Sequence, residues 1–117
     1  MTTTATARAN LDRLATPLGL HGHTHVPVAW LDVGGEVTLL RRRPADDLTL
    51  EGRRALVNPG SVGQPRDGDP TASFLLLDPE AGRMEWRRIA YDVAAVQVAM
   101  RAAKLPGLLV DRLASGT

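Results

Sequence analysis

Eleven glycines and eight prolines are spread along 117 residues, so that no periodic run continues much beyond about ten residues before a turn signal intervenes. Gly34-Gly35, Asn58-Pro59-Gly60, Asp78-Pro79 and Pro106-Gly107 are the sharpest of these stops. A chain cut this often cannot build long helices, and it favours short strands joined by turns. Six segments read as strands: 18–21, 26–33, 36–43, 54–57, 72–77 and 84–91. Consecutive hairpins are the simplest way to pair them, with 44–52 a polar connection and 63–70 an exposed loop. Asp92 then resembles an N-cap, and Val93, Val96 and Met100 recur at helical spacing up to Pro106-Gly107. That helix is expected to cover its own sheet, and residues 108–113 to pack back as a last turn or two. Residues 1–16 read as a frayed or helical N-terminal segment, with Leu11 and Leu14 three apart and Pro17 as the stop. Residues 17–117 read as a single domain.

Charge excludes several function classes. Fourteen Lys+Arg against thirteen Asp+Glu leave a formal charge of +1, so no bulk electrostatic pull toward nucleic acid is expected. Four aromatics, Trp30, Phe74, Trp86 and Tyr91, are too few for a base-stacking surface, and they predict an aliphatic core. Arg41-Arg42-Arg43, split between strand faces and followed by Asp46-Asp47, reads as a solvated strand end. No apolar run approaches the ~18 residues of a membrane span. A soluble, cytoplasmic protein is expected, with no membrane and no specific nucleic-acid partner. Without cysteine, any metal must be held by imidazole nitrogen and by carboxylate or amide oxygen.

All three histidines fall within five residues, as His21-Gly22-His23-Thr24-His25. In an extended backbone alternate side chains share a face, so the three can converge. Alternatively, Gly22 can bend the chain at the end of the first strand and leave His23 and His25 to project toward ions held against the strand ends. A second segment, Asn58-Pro59-Gly60-Ser61-Val62-Gly63-Gln64-Pro65-Arg66, has the density of turn residues that defines one loop path. As a structural turn it needs no ligand. As part of a site it would buttress the histidine loop, with Asn58 and Ser61 bonding backbone and Arg66 offering a planar fork to phosphate oxygens. A calcium loop starting at Asp67 fails because its sixth position is Ala72.

Together, Gly22-His23-Thr24-His25-Val26-Pro27 and the Asn58–Arg66 segment about thirty residues later resemble the calcineurin-like metallophosphoesterase superfamily, in its bacterial and archaeal phosphodiesterase-like branch. The Leu-Leu-Leu-Asp strand at 75–78 and the Tyr91-Asp92 helix start extend the likeness to residues 9–114. The resemblance implies an α/β sandwich with mostly antiparallel hairpin strands and a C-terminal helix, and a dinuclear centre in which His23 serves one divalent ion and His25 the other. It also implies a phosphoester substrate, and Mn, Fe, Zn, Co or Ni as metal. His21 stands where the family has an aliphatic residue and is favoured as a non-ligand.

The family draws its other ligands from an Asp-x-His, a Gly-Asp, a Gly-Asn-His and a further His, all before Gly-His-x-His. None of these motifs precedes His21. The expectation is therefore the C-terminal half of a metallophosphoesterase domain, apparently truncated and inactive by itself. It would be completed by a missing N-terminal half, or would survive as a non-catalytic metal-binding or oligomerising module. An uncovered edge or face, and with it a homo-oligomer, is the expected structural cost.

Overall fold

The computed structural model describes residues 3–117 as a helix, two sheets and a C-terminal helical arm. The helix α1 (Thr4–Leu11) starts where the Thr3 and Thr6 hydroxyls each accept from the other's backbone N–H, a reciprocal cap. Its Ala7 and Leu11, four apart, are fully buried.

The first sheet contains β1 (Leu18–Leu20), β2 (Val28–Val33), β3 (Glu36–Arg41) and β5 (Arg54–Asn58) in the order β1-β5-β2-β3. The second contains β4 (Asp47–Thr49), β6 (Ala72–Asp78) and β7 (Arg83–Ile89) in the order β4-β7-β6. The hairpins β2–β3 and β6–β7 form as the Gly34-Gly35 and 78–82 turns predict. Consecutive hairpins throughout do not form. β1 pairs with β5 in parallel, Leu18 opposite Ala55, and β5 inserts between β1 and β2. β4 lies inside the stretch expected to be a polar connection. Its one buried side chain, Leu48, is flanked by Asp47 and Thr49, so the three-residue strand has almost no periodic signal.

Two-residue alternation divides the first sheet's side chains between two cores. Ala29, Leu31, Ala55 and Val57 face the second sheet and pack with Leu48, Leu50, Met84 and Trp86. Val28, Trp30 and Leu56 face the other way and pack under Ala7 and Leu11. The expected aliphatic core is thus corrected by two tryptophans, Trp30 at 3% and Trp86 at 1% exposure. Burying Trp86 is compatible with its polar edge because Nε1 donates to the Asn58 carbonyl at 3.1 Å. Arg42, expected to be solvated, lies over the Trp86 ring 5.7 Å from its centre.

The C-terminal arm comprises α2 (Val93–Ala102), capped by the Asp92 carboxylate on the Ala95 N–H, then α3 (Gly107–Asp111) and a 3-10 turn (Arg112–Ala114). The arm overturns the expectation that this helix covers its sheet. No residue of α2 is buried, and its packing is against α3 and the 3-10 turn. The arm is tied instead to the glycine-rich loop, where the Gly68 N–H donates to the Gly116 carbonyl at 2.9 Å. That loop is not simply exposed either, since Pro65 is fully buried. With the arm projecting, the molecule measures 50 × 27 × 21 Å, and its radius of gyration is 16.1 Å. A compact chain of this length would have about 13 Å.

Candidate metal centre

The histidine loop leaves the C-terminal end of β1. The His21 N–H continues the parallel ladder to the Val57 carbonyl at 2.9 Å, and the chain then turns, with Thr24 N–H donating to Gly22 O at 3.0 Å. His23 and His25 sit at φ 77° and 61°, left-handed conformations that cost a non-glycine residue free energy and persist only where surroundings impose them.

Those surroundings are the Asn58–Arg66 loop. Asn58 is fully buried at the end of β5, and its amide nitrogen donates to Thr24 Oγ1 at 3.0 Å and to Gly22 O at 3.3 Å. Its Oδ1 accepts from Gly60 N–H at 2.9 Å, so one side chain holds both loops. Gly60 has φ 91°, and an added Cβ would lie 2.5 Å from Ser73 Oγ, so only glycine fits there. That Ser73 hydroxyl, buried on β6, donates to the Pro59 carbonyl at 2.7 Å. Ser61 Oγ accepts from Gln64 N–H at 3.0 Å, which turns the Gln64 carbonyl toward His25.

His25 Nδ1 lies 2.7 Å from that carbonyl. A carbonyl only accepts, so Nδ1 carries a proton, and Nε2 is the ring nitrogen left for a metal, the arrangement usual for metal-binding imidazole. His23 is exposed and its ring makes no hydrogen bond among the described residues. His21 is half-buried, and its Nε2 is enclosed without a partner; desolvation lowers its pKa, so the ring is held neutral and turned away from solvent. Arg66 donates its backbone N–H toward the His25 carbonyl at 3.4 Å and its guanidinium to Gln64 Oε1 at 2.7 Å. It is exposed and pairs with no carboxylate among the described residues, which leaves its charge available beside His25.

The two loops thus bring His25, Asn58, Ser61 and Arg66 together, with His23 exposed on the same turn and His21 at the end of β1 that leads into it. Thr24 and Ser73 escaped the sequence reading, because an isolated hydroxyl carries no pattern until its partner is known. Among the described residues no three His, Asp or Glu side chains gather as a metal-holding group. Two imidazoles in one loop could supply only an edge of a metal centre, since among the described residues no carboxylate joins them to balance two dications.

No protein-family model matches the chain. It is 35% identical over 95 residues to an uncharacterised protein of Methanocaldococcus jannaschii, a match spanning 81% of this chain and 37% of that one. The crystal structure of a metallophosphoesterase from Sphaerobacter thermophilus matches the whole chain with a TM-score of 0.91 and 38% identity. The chain spans half the length of that protein.

Proposed function

We propose, from the premise that this chain carries half of the calcineurin-like metallophosphoesterase fold, that it supplies the two-histidine side of a phosphoric-ester hydrolase centre. The single observation that supports this most is the His25 Nδ1–Gln64 carbonyl contact, which leaves Nε2 ready to ligate. His23 and His25 would each hold one divalent ion, drawn from Mn, Fe, Zn, Co or Ni, and Arg66 would meet a phosphoryl oxygen. A pair of ions in such a centre activates water and offsets charge on the phosphoryl group.

What the chain's own residues do follows from their bonds. Asn58 fixes the path of the histidine loop, and Ser61 and Gln64 fix the His25 ring. Ser61 is no nucleophile in this reading, because Pro59-Gly60-Ser61-Val62 forms no nucleophile elbow; its Oγ accepts from the Gln64 N–H and so shapes the loop. Two close dications need bridging carboxylate charge, which two imidazoles do not provide. The 117-residue chain alone should therefore take up one ion weakly and turn nothing over. The second reading, a non-catalytic module holding one ion, is favoured by the absence of a three-donor group among the described residues.

Metal content per chain after loading with Mn, Zn or Co, measured beside hydrolysis of an aryl phosphodiester, tests both. Up to one ion, lost in His25→Ala and retained in His21→Ala, with no turnover, is the expected result for the chain alone. Two ions with turnover would overturn the half-site reading. Binding unaffected by His25→Ala would overturn the site.

A further inference from the structure

Four strand ends meet where the histidine loop lies. β1 and β5 arrive there, β2 departs, and β3 returns beside β2 with Arg41 opposite Val28. The chain then runs past that end of the sheet as Arg42 and Arg43. The Arg42 N–H donates to the Pro27 carbonyl at 3.1 Å, and the Arg66 N–H reaches the His25 carbonyl at 3.4 Å. Two arginine-bearing segments therefore hang from one stretch, His25 to Pro27, on carbonyls two residues apart. Two residues of chain span at most about 7 Å, so the segments are held close together.

Neighbouring groups already occupy some of the charges here. Arg42 lies over the Trp86 ring and 4.0 Å from Asp46, which also accepts from the Arg43 backbone N–H at 2.8 Å. Asp67 and Asp69, the carboxylates that follow Arg66 in the chain, are taken by Arg88. The guanidinium groups of Arg41, Arg43 and Arg66 are left. All three residues are exposed, and none of these side chains pairs with a carboxylate among the described residues. Arg66 donates to the neutral Gln64 side chain. Elsewhere, Arg54 and Arg112 are spent on backbone carbonyls, and the unpaired Arg13 and Lys104 stand singly, one after α1 and one on the arm. With a formal charge of only +1 on the whole chain, this concentration of free cations is a property of the fold and not of the composition. A single phosphoryl group beside the histidine loop accounts for Arg66. It leaves Arg41 and Arg43, one strand further out, unmatched.

We infer that Arg41 and Arg43 form a second anion subsite, and that the substrate is a phosphate chain, in which the phosphoryl group met by Arg66 is followed by at least one more phosphate. The inference rests on reading this end of the sheet as part of a phosphoester centre. Guanidinium suits the task because its planar fork meets two phosphate oxygens at once. A nucleic acid is the poorer occupant: its bases need aromatic faces, and none of the four aromatic residues is exposed.

The test is calorimetric titration of the 117-residue chain, in EDTA and at fixed ionic strength, with orthophosphate, tripolyphosphate, a nucleoside triphosphate and a short oligothymidylate. Tripolyphosphate is expected to bind at least about tenfold more tightly than orthophosphate. Arg41→Gln with Arg43→Gln should remove roughly that tenfold, the worth of two exposed charge contacts, and leave orthophosphate unchanged. Arg13→Gln with Lys104→Gln removes the same charge elsewhere and should change neither. All four positions are exposed, and circular dichroism checks that both variants stay folded. A nucleoside triphosphate bound as tightly as tripolyphosphate supports a subsite that reads phosphates alone, and tighter binding supports a chain that carries a nucleoside. Equal loss in the control variant, no preference for tripolyphosphate over orthophosphate, or tightest binding of the oligothymidylate would each overturn the proposal. Metal uptake by the parent and by His25→Ala separates the two readings. Uptake that needs His25, without a preference for tripolyphosphate, removes the subsite and leaves the metal centre; tripolyphosphate binding that needs Arg41 and Arg43, in a chain that takes up no metal, does the reverse.

Discussion

Asn58 shows how much one buried side chain can carry. Its amide nitrogen and oxygen satisfy Gly22, Thr24 and Gly60 together, and its carbonyl takes the Trp86 indole. Asn58→Asp keeps the acceptor for Gly60 and loses the donor to the histidine loop. It should destabilise the fold by about 2–4 kcal/mol, the range for orphaning buried polar partners and leaving an unpaired charge. Denaturant unfolding measures the loss, and Asn58→Ala should cost at least as much. Asp32 shows a different dependence. The hydrogen bond from Arg8, at 2.7 Å, holds its carboxylate below the ordinary value of 3.8. Its contribution is therefore present above pH 3.8 and is lost as pH falls through the lowered value. Stability measured from pH 6 down to 2 should fall less steeply in Asp32→Asn than in the parent. An unchanged acid limb would show that the pair does not anchor α1.

Elements in this protein are placed by a few polar anchors as much as by apolar packing. Arg88 of β7 is 6% exposed and holds the 66–71 segment through Asp67, through Asp69 at 3.6 Å, and through the carbonyls of Asp69 and Thr71. The arm rests on the same segment at Gly116. Arg88→Met should cost about 1–3 kcal/mol, less than breaking a fully buried pair because the freed carboxylates can hydrate. It should also speed tryptic cleavage after Arg66; an unchanged cleavage rate would show that the loop holds itself. The six strands read from alternation all form, within a residue or two at most ends. β4 was illegible because three residues with one buried leucine hold no period. The parallel β1–β5 pair was illegible because pairing between strands some thirty-five residues apart leaves no local trace.

For the whole molecule, the projecting arm is the least compact feature. Solution X-ray scattering should return an elongated particle with a radius of gyration near the 16.1 Å of the Cα trace, allowing for side chains and hydration. A compact value near about 13 Å would mean that the arm folds back onto a sheet. The amphipathic spacing of Val93, Val96 and Met100 had suggested that packing. Periodicity states that a helix has an apolar face and says nothing about what meets it.

The sequence by itself determined the strand segments, the two loops and the residues they carry, because turn chemistry and a five-residue histidine cluster act over short range. It also carried the likeness to a metallophosphoesterase, which was read from the contiguous motifs of those two loops and which the solved structure matches along the whole chain. Only the tertiary structure decided that Asn58 ties the loops together, that the Gln64 carbonyl meets Nδ1 of His25, and that β5 inserts between β1 and β2. Each of these depends on which distant backbone groups become neighbours, and hydrogen-bond partners across tens of residues are chosen by the packing of the whole sandwich.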